Sequence, residues 1–289
     1  MKIGIIGAES KHVEFFSVPI NKEKLFGNTQ IHCIWGGDTT EDRLRSCSSL
    51  AEIEGIVKTP SEVIDASEAI IITLRDGNQH SRYALECIQK RKPVFIDKPF
   101  TINPTEALKL LRAAQDYKTP FTGGSTLCFL PEIPMLQEKY KASAYTEISY
   151  RADPHSPHGG WYFYGSHLTD LCATICGQGA VTVKTHILGD KVTADIYYEA
   201  SRSDQENTSK NTKKKVQINS APDLPQPIVK MEDIHILNDN TCYIYGLKAF
   251  FDVIYSGTSP DANRLLFSVR LMDAIMRSAS TKDFVRIEG

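Results

Sequence analysis

Four stretches of the sequence carry residues with chemistry to offer. The first reads Gly4-Ile-Ile-Gly7-Ala8-Glu9-Ser-Lys-His12. In a dinucleotide fingerprint, G-x-G-x-x-G, glycines let the backbone and a helix N-terminus approach a pyrophosphate. Gly7 fills the first place, but Glu9 and His12 stand at the other two. A carboxylate at Glu9 repels a pyrophosphate unless it points away, and a buried strand with its turn accounts for the stretch equally well. The second stretch is Ile34-Trp-Gly-Gly-Asp38. An acid after the second strand of a Rossmann sheet binds the adenosine ribose. Asp38 comes one or two places late, and the glycines leave room for a 2′-phosphate with Arg43 or Arg45 as partner. NAD and NADP therefore both remain open. The third runs from Thr73-Leu74 through His80 to Asp97-Lys98-Pro99, and the fourth from Gly159 to Asp170. Just before the fourth, Asp153-Pro-His155-Ser-Pro-His158 offers metal-ligand residue types. Two prolines in those six residues favour an exposed loop instead, and no metal is expected.

Something must position these residues. Of the 289 residues, 41% are hydrophobic and 24% charged, the profile of a globular protein with an ordinary core. The net charge of −2 provides no global field for nucleic acid or an anionic membrane. No apolar run reaches the ~18 residues of a bilayer span. Seven scattered cysteines fit reduced, buried thiols rather than a disulfide framework, and a cytoplasmic setting.

Short apolar runs at 2–7, 30–35, 69–74, 93–96 and 120–123 alternate with helical stretches such as 77–90 and 104–117. The latter opens on Asn103 as N-cap, Pro104 at the first position and Glu106 three after the cap. Thr59-Pro60-Ser61-Glu62 repeats that start signal. Continuous runs such as Ala69-Ile-Ile-Ile predict strands buried on both faces, hence a parallel sheet. Beyond them the period changes: 181–187, 191–200 and 216–218 alternate as half-buried antiparallel strands do. The polar 201–215 stretch between them reads as a solvated hairpin loop, and helices are expected at 245–255 and 261–280. The predicted class is α/β: a doubly wound Rossmann domain over 1–122, then an α+β domain over 123–289 with a mostly antiparallel open sheet for substrate binding and oligomerisation.

The strand, the His80-bearing turn, the helix and Asp97-Lys98-Pro99 together resemble the Gfo/Idh/MocA family of sugar and inositol dehydrogenases, whose triplet there is Glu-Lys-Pro. The resemblance extends through Gly165-Ser-His167, where the family pattern is Asp-x-Gly-x-His and Phe163 stands at the aspartate place. It continues into Leu247-Lys-Ala-Phe-Phe and the last helix, so it covers nearly the whole chain. It implies an NAD- or NADP-dependent oxidoreductase acting on a sugar, polyol or related hydroxy compound. Lys98 would hydrogen-bond the reacting hydroxyl and His167 would take its proton, which suits an ammonium and a near-neutral imidazole. Tyr164, one helical turn before His167, is the candidate replacement for the missing carboxylate; a packing role is equally consistent with the sequence. The cofactor would lie across Gly7, Ala8, Glu9, His12, Asp38, Thr73, Leu74, His80, Asp97 and Lys98. Cys128 falls near a pocket arginine of many relatives, so substrate contacts there should differ. The family also implies a homodimer or homotetramer. Two other readings stand beside this one: NAD-assisted cleavage of glycosidic bonds, and a non-catalytic ligand-binding or regulatory protein that has lost cofactor use.

Overall fold

The computed structural model describes residues 1–199 and 214–288. The chain divides into two compact units, Met1–Phe129 with Thr241–Asn263, and Leu130–Asn240 with Arg264–Gly289. Sequence alone places 241–263 with the C-terminal span; contacts group it with the N-terminal one. The predicted hairpin loop lies almost wholly outside the described residues.

The first unit is built on six parallel strands: β1 Lys2–Ile6, β2 Gln30–Trp35, β3 Gly55–Ile56, β4 Ala69–Ile72, β5 Val94–Asp97 and β6 Phe121–Gly124. Their order is β3-β2-β1-β4-β5-β6, the doubly wound arrangement with its reversal between β1 and β4. Every residue of β4, β5 and β6 is buried, as the unbroken apolar runs of the first two require. Between the strands run α1 His12–Asn21, α2 Glu41–Leu50, α3 Pro60–Ala66, α4 Gly77–Gln89 and α5 Pro104–Tyr117. The expected caps form: Thr59 Oγ1 accepts from the Glu62 amide, and Asn103 Oδ1 accepts from Thr105 and Glu106. The two-residue β3 is too short for a sequence pattern to reveal.

After β6 comes a 3-10 turn, Thr126–Phe129. The second unit then adds α6 Ile133–Ala142, β7 Thr146–Tyr150, α7 Tyr162–Ile175, β8 Ala180–Leu188, β9 Lys191–Tyr198, β10 Lys215–Ser220, β11 Ile228–Lys230 and β12 Ile234–Ile236. The chain closes with α8 Cys242–Ser256, α9 Ala262–Thr281 and β13 Val285–Arg286. The sheet runs β12-β11-β7-β10-β9-β8-β13, antiparallel except for the parallel pair β7 and β10. Val192, Ala194, Ile196 and Tyr198 all face inward, fulfilling the predicted alternation. Among the described residues no helix is long and apolar enough to cross a membrane. All seven cysteines are buried and free of disulfides.

Helix α8 closes the first unit's core. Leu247, Phe250 and Phe251 join Ile3, Ile5, Phe16 and Phe95 in one apolar cluster. Phe95 lies edge-on to both Phe16 and Phe250, at 5.1 and 5.8 Å, and Phe26 stacks on Phe251 at 4.7 Å. The approach is close enough that a Cβ on Gly246 would come within 2.6 Å of Thr126 Cγ2. Truncating the fully buried Phe250 leaves a cavity, so Phe250→Ala is expected to cost ~3–5 kcal/mol in urea unfolding.

Candidate dinucleotide and active-site residues

The loop after β1 is held from three directions. Gly7 adopts φ +111, and a Cβ there would fall 2.6 Å from the Leu74 amide nitrogen, so only glycine allows the ends of β1 and β4 to approach this closely. The Thr73 hydroxyl donates to the Gly7 carbonyl at 2.8 Å, and the amides of Gly7 and Ala8 extend the pairing with β2 by donating to Trp35 and Gly36. Arg43, from α2, wraps the loop. Its Nε donates to the Ala8 carbonyl at 3.2 Å and one terminal nitrogen to that of Ser10 at 2.7 Å. The same guanidinium grips the Glu14 carboxylate at 2.5 and 2.8 Å. Arg43 is therefore committed to the loop, and Arg45 pairs with Glu41 in solvent. The part foreseen for either residue, receiving a 2′-phosphate, is not how the structure uses them.

Glu9 turns back beneath the end of β2. Its Oε1 accepts from the Asp38 amide at 3.1 Å and lies so close to Gly37, at φ +72, that a Cβ there would sit 2.1 Å away. The other oxygen, Oε2, is buried and makes no hydrogen bond. Burial raises the Glu9 pKa above the usual carboxylate value, and the neighbouring Asp38 charge adds to this. Asp38 itself is exposed, its carboxylate 3.5 Å from Gln79 Nε2.

His80 is completely buried, with both ring nitrogens directed at carbonyl oxygens: Nδ1 at Pro99, 2.7 Å, and Nε2 at Leu74, 2.8 Å. Burial lowers its pKa, while the two carbonyls and Asp97 oppose that shift. Thr73, Leu74 and His80 thus fix the ends of β4 and β5 to each other and spend their polar atoms on the protein. Lys98 follows directly and is buried, as is Asp97. Asp97 Oδ2 contacts His12 Nδ1 at the start of α1. Burial works against the Asp97 charge, but His12 and Lys98 outweigh it and hold the carboxyl below its ordinary value of 3.8. The His12 ring is seated edge-on against Tyr243, 5.2 Å away. Cys128 is buried in the 3-10 turn.

In the second unit, His167 and Tyr164 share one face of α7, with ring centroids 5.6 Å apart. Gly165 has a steric reason: Trp161, fully buried, packs where its Cβ would be, at 2.4 Å. Tyr150, the last residue of β7, meets the His167 ring edge-on at 5.5 Å and donates its hydroxyl to Asp239 at 2.9 Å. Burial pushes the Tyr150 phenol pKa up, so it stays a donor. The Arg151 guanidinium lies over the rings of both Tyr150 and Tyr164, 5.0 and 5.2 Å from their centroids. Phe163, at the aspartate place, packs edge-on against Tyr164 and His158. Sequence reasoning missed Tyr150, Arg151 and Asp239, because no spacing links the end of β7 to residue 239. His155 is exposed and 3.8 Å from Asp190, and no cluster of three or more metal-ligating residues forms among the described residues.

Residues 1–124 match the model of an oxidoreductase family with an NAD-binding Rossmann fold, Gfo/Idh/MocA. The match spans the first 124 of the 289 residues. A myo-inositol 2-dehydrogenase of Thermotoga maritima is 26% identical over 112 residues, 38% of this chain. The matched part is 32% of that relative's length. Two solved structures resemble the chain over nearly its full extent, covering 99% of both chains in each comparison. The scyllo-inositol dehydrogenase of Lactobacillus casei, solved with NAD(H) and scyllo-inositol, superposes with a TM-score of 0.79 at 11% identity. A probable dehydrogenase from Thermotoga maritima gives 0.77 at 17%. At these identities the likeness establishes the fold.

The residues of the loop are compatible with a dinucleotide despite the altered glycines. Gly7 keeps the close approach, and Lys11 leaves the first turn of α1 without a side-chain cap. Arg43→Ala removes charge-assisted bonds worth ~1.5–3 kcal/mol, so NAD binding should weaken about tenfold or more in calorimetric titration. Because the Asp97 pKa is depressed, its stabilising contribution is complete above its ordinary value and is lost as pH falls through the lower, folded-state value. In unfolding experiments taken from neutral into acid pH, Asp97→Asn should show a shallower decline of stability than the parent.

Proposed function

We propose that this protein is an NAD-dependent dehydrogenase of a sugar, polyol or related hydroxy compound. The observation that carries the reading is a buried lysine, Lys98, at the carboxyl end of β5, on the sheet whose β1 and β4 ends form the dinucleotide cradle. Ligands of open α/β sheets gather at the carboxyl ends of strands, next to the reversal of strand order. An ammonium kept out of bulk water polarises an alcohol oxygen far more strongly than an exposed one. Asp97 and the His80 anchor on Pro99 hold the peptide that bears it. NAD, when bound, supplies the hydride acceptor. His167 takes the hydroxyl proton, with Tyr150, Tyr164 and Arg151 shaping and charging its surroundings.

The relatives' names make cyclitols the first substrates to try, followed by open-chain polyols and hexoses. Turnover is read as nicotinamide absorbance in the presence of NAD. Lys98→Met and His167→Asn should each lower kcat by about 10²–10⁴-fold while leaving NAD binding measurable. An active parent whose rate survives both substitutions would sink the assignment. Tyr164→Phe tests whether the phenol replaces the absent carboxylate; an unchanged rate makes it a packing residue. We further propose a homodimer or homotetramer, supported by Ile187, Leu188, Ile234 and Ile236 exposed on strands of the second sheet. Seven buried thiols without disulfides support a reducing, cytoplasmic setting.

A further inference from the structure

We propose that Asp239, on the turn after β12, supplies the carboxylate that position 163 lacks, and that it serves His167 through Tyr150. The proposal rests on the dehydrogenase reading above and adds two positioning residues to that same site.

A carboxylate one helical turn before a histidine can accept a hydrogen bond and offset the charge of an imidazolium. Phe163 stands at that place in α7 and does neither; its ring packs edge-on against Tyr164 and His158. The second sheet delivers an acid by another route. Strand β11 lies between β7 and β12, with Ile228 paired to Ser149 on one side and to Ile236 on the other. The Leu237 amide donates to the Pro227 carbonyl at 2.9 Å and carries that alignment one residue further. Asn238 Oδ1 then accepts from the Asn240 amide at 3.0 Å, turning the chain around Asp239. Asp239 thereby arrives beside Tyr150, the last residue of β7, and accepts its hydroxyl proton at 2.9 Å.

A phenol has one proton to donate. Tyr150 is only 2% exposed and spends that proton on Asp239, which fixes the setting of its ring. The same ring meets the His167 imidazole edge-on at 5.5 Å. Burial keeps the Tyr150 phenol protonated, so the bond stays directed at the carboxylate. Arg151 supplies the opposing charge. Its guanidinium lies over the rings of Tyr150 and Tyr164 and approaches Asp239 Oδ2 at 3.5 Å. When His167 takes the alcohol proton it becomes a cation in the neighbourhood of that guanidinium. Asp239 offsets Arg151 at that moment and holds Tyr150 against the ring, an arrangement that favours the charged transition state over the neutral ground state.

The test is steady-state kinetics of the full chain with NAD and the cyclitols, open-chain polyols and hexoses named above, starting with myo-inositol. Thermal melting first verifies that each variant is folded. Asp239→Asn keeps an acceptor for Tyr150 but loses the charge, and Tyr150→Phe removes the link. Each should lower kcat about ten- to hundredfold while substrate KM changes little. Asp239→Glu restores the charge and should recover most of that loss. Because Asp239 acts through Tyr150, the double variant Tyr150→Phe/Asp239→Asn should be no slower than Tyr150→Phe alone. The proposal is overturned, with the dehydrogenase reading left standing, by an unchanged kcat in folded Asp239→Asn or by losses that multiply in the double variant. A larger fall for Tyr164→Phe than for Tyr150→Phe overturns it in the same way. A parent that reduces NAD with none of these substrates overturns the dehydrogenase reading and this proposal with it.

Discussion

Two strand ends in this protein lie nearer to each other than side chains permit. Gly7 and the Thr73-Leu74 pair meet backbone to backbone where the order of the parallel sheet reverses, and neighbouring groups are arranged around that approach. Thr73 spends its hydroxyl on the Gly7 carbonyl. Leu74 offers its own carbonyl to His80, which reaches on to Pro99 and so to the lysine-bearing end of β5. One close contact thereby sets the height of three strand ends relative to one another. The side chains that face a ligand inherit their positions from it, and preorganisation of this kind is what a binding site on a rigid scaffold requires.

The two altered fingerprint positions take on a common logic in this setting. At two places where the G-x-G-x-x-G fingerprint has glycines, this chain carries Glu9 and His12 and ties its loop down with charge. Arg43 and Glu14 clamp its outer side, His12 and Asp97 join its far end to β5, and Glu9 folds under β2. Each charged side chain has an opposite charge or a backbone group to meet, with one buried carboxylate oxygen as the exception. Charge-assisted bonds are directional, so the replacement conserves shape at the expense of greater sensitivity to protonation.

The parts of this organisation visible in the sequence are those governed by local rules. The caps at Thr59 and Asn103, the unbroken apolar runs of β4 and β5, and the period-two burial of β9 all depend on neighbours within a few residues. Linear motifs likewise singled out Lys98, His167 and Gly7 as candidates. What the sequence hid is governed by partners far along the chain. Arg43 reads as a free cation until its contacts with residues 8, 10 and 14 are known. Amphipathicity in α8 reveals an apolar face but not which core receives it. Tyr150 and Asp239 lie 89 positions apart, yet share a hydrogen bond beside His167. His80 reads as a ligand-facing imidazole because pattern alone does not reveal that both its nitrogens are occupied by carbonyls.

The return of α8 to the first unit has a consequence for how the chain is made. Phe16 and Phe95 emerge from the ribosome early, whereas Phe250 and Phe251, which complete the same cluster, emerge only after most of the second unit. Synthesis proceeds at roughly 5–20 residues per second, so the nascent Rossmann sheet waits several seconds with part of its apolar core uncovered. The interval is long compared with collapse or hairpin formation. Nascent chains of this protein are therefore natural clients for chaperones that shield hydrophobic surface, and a ribosome stalled before residue 242 would hold a sheet that has formed but is not yet sealed.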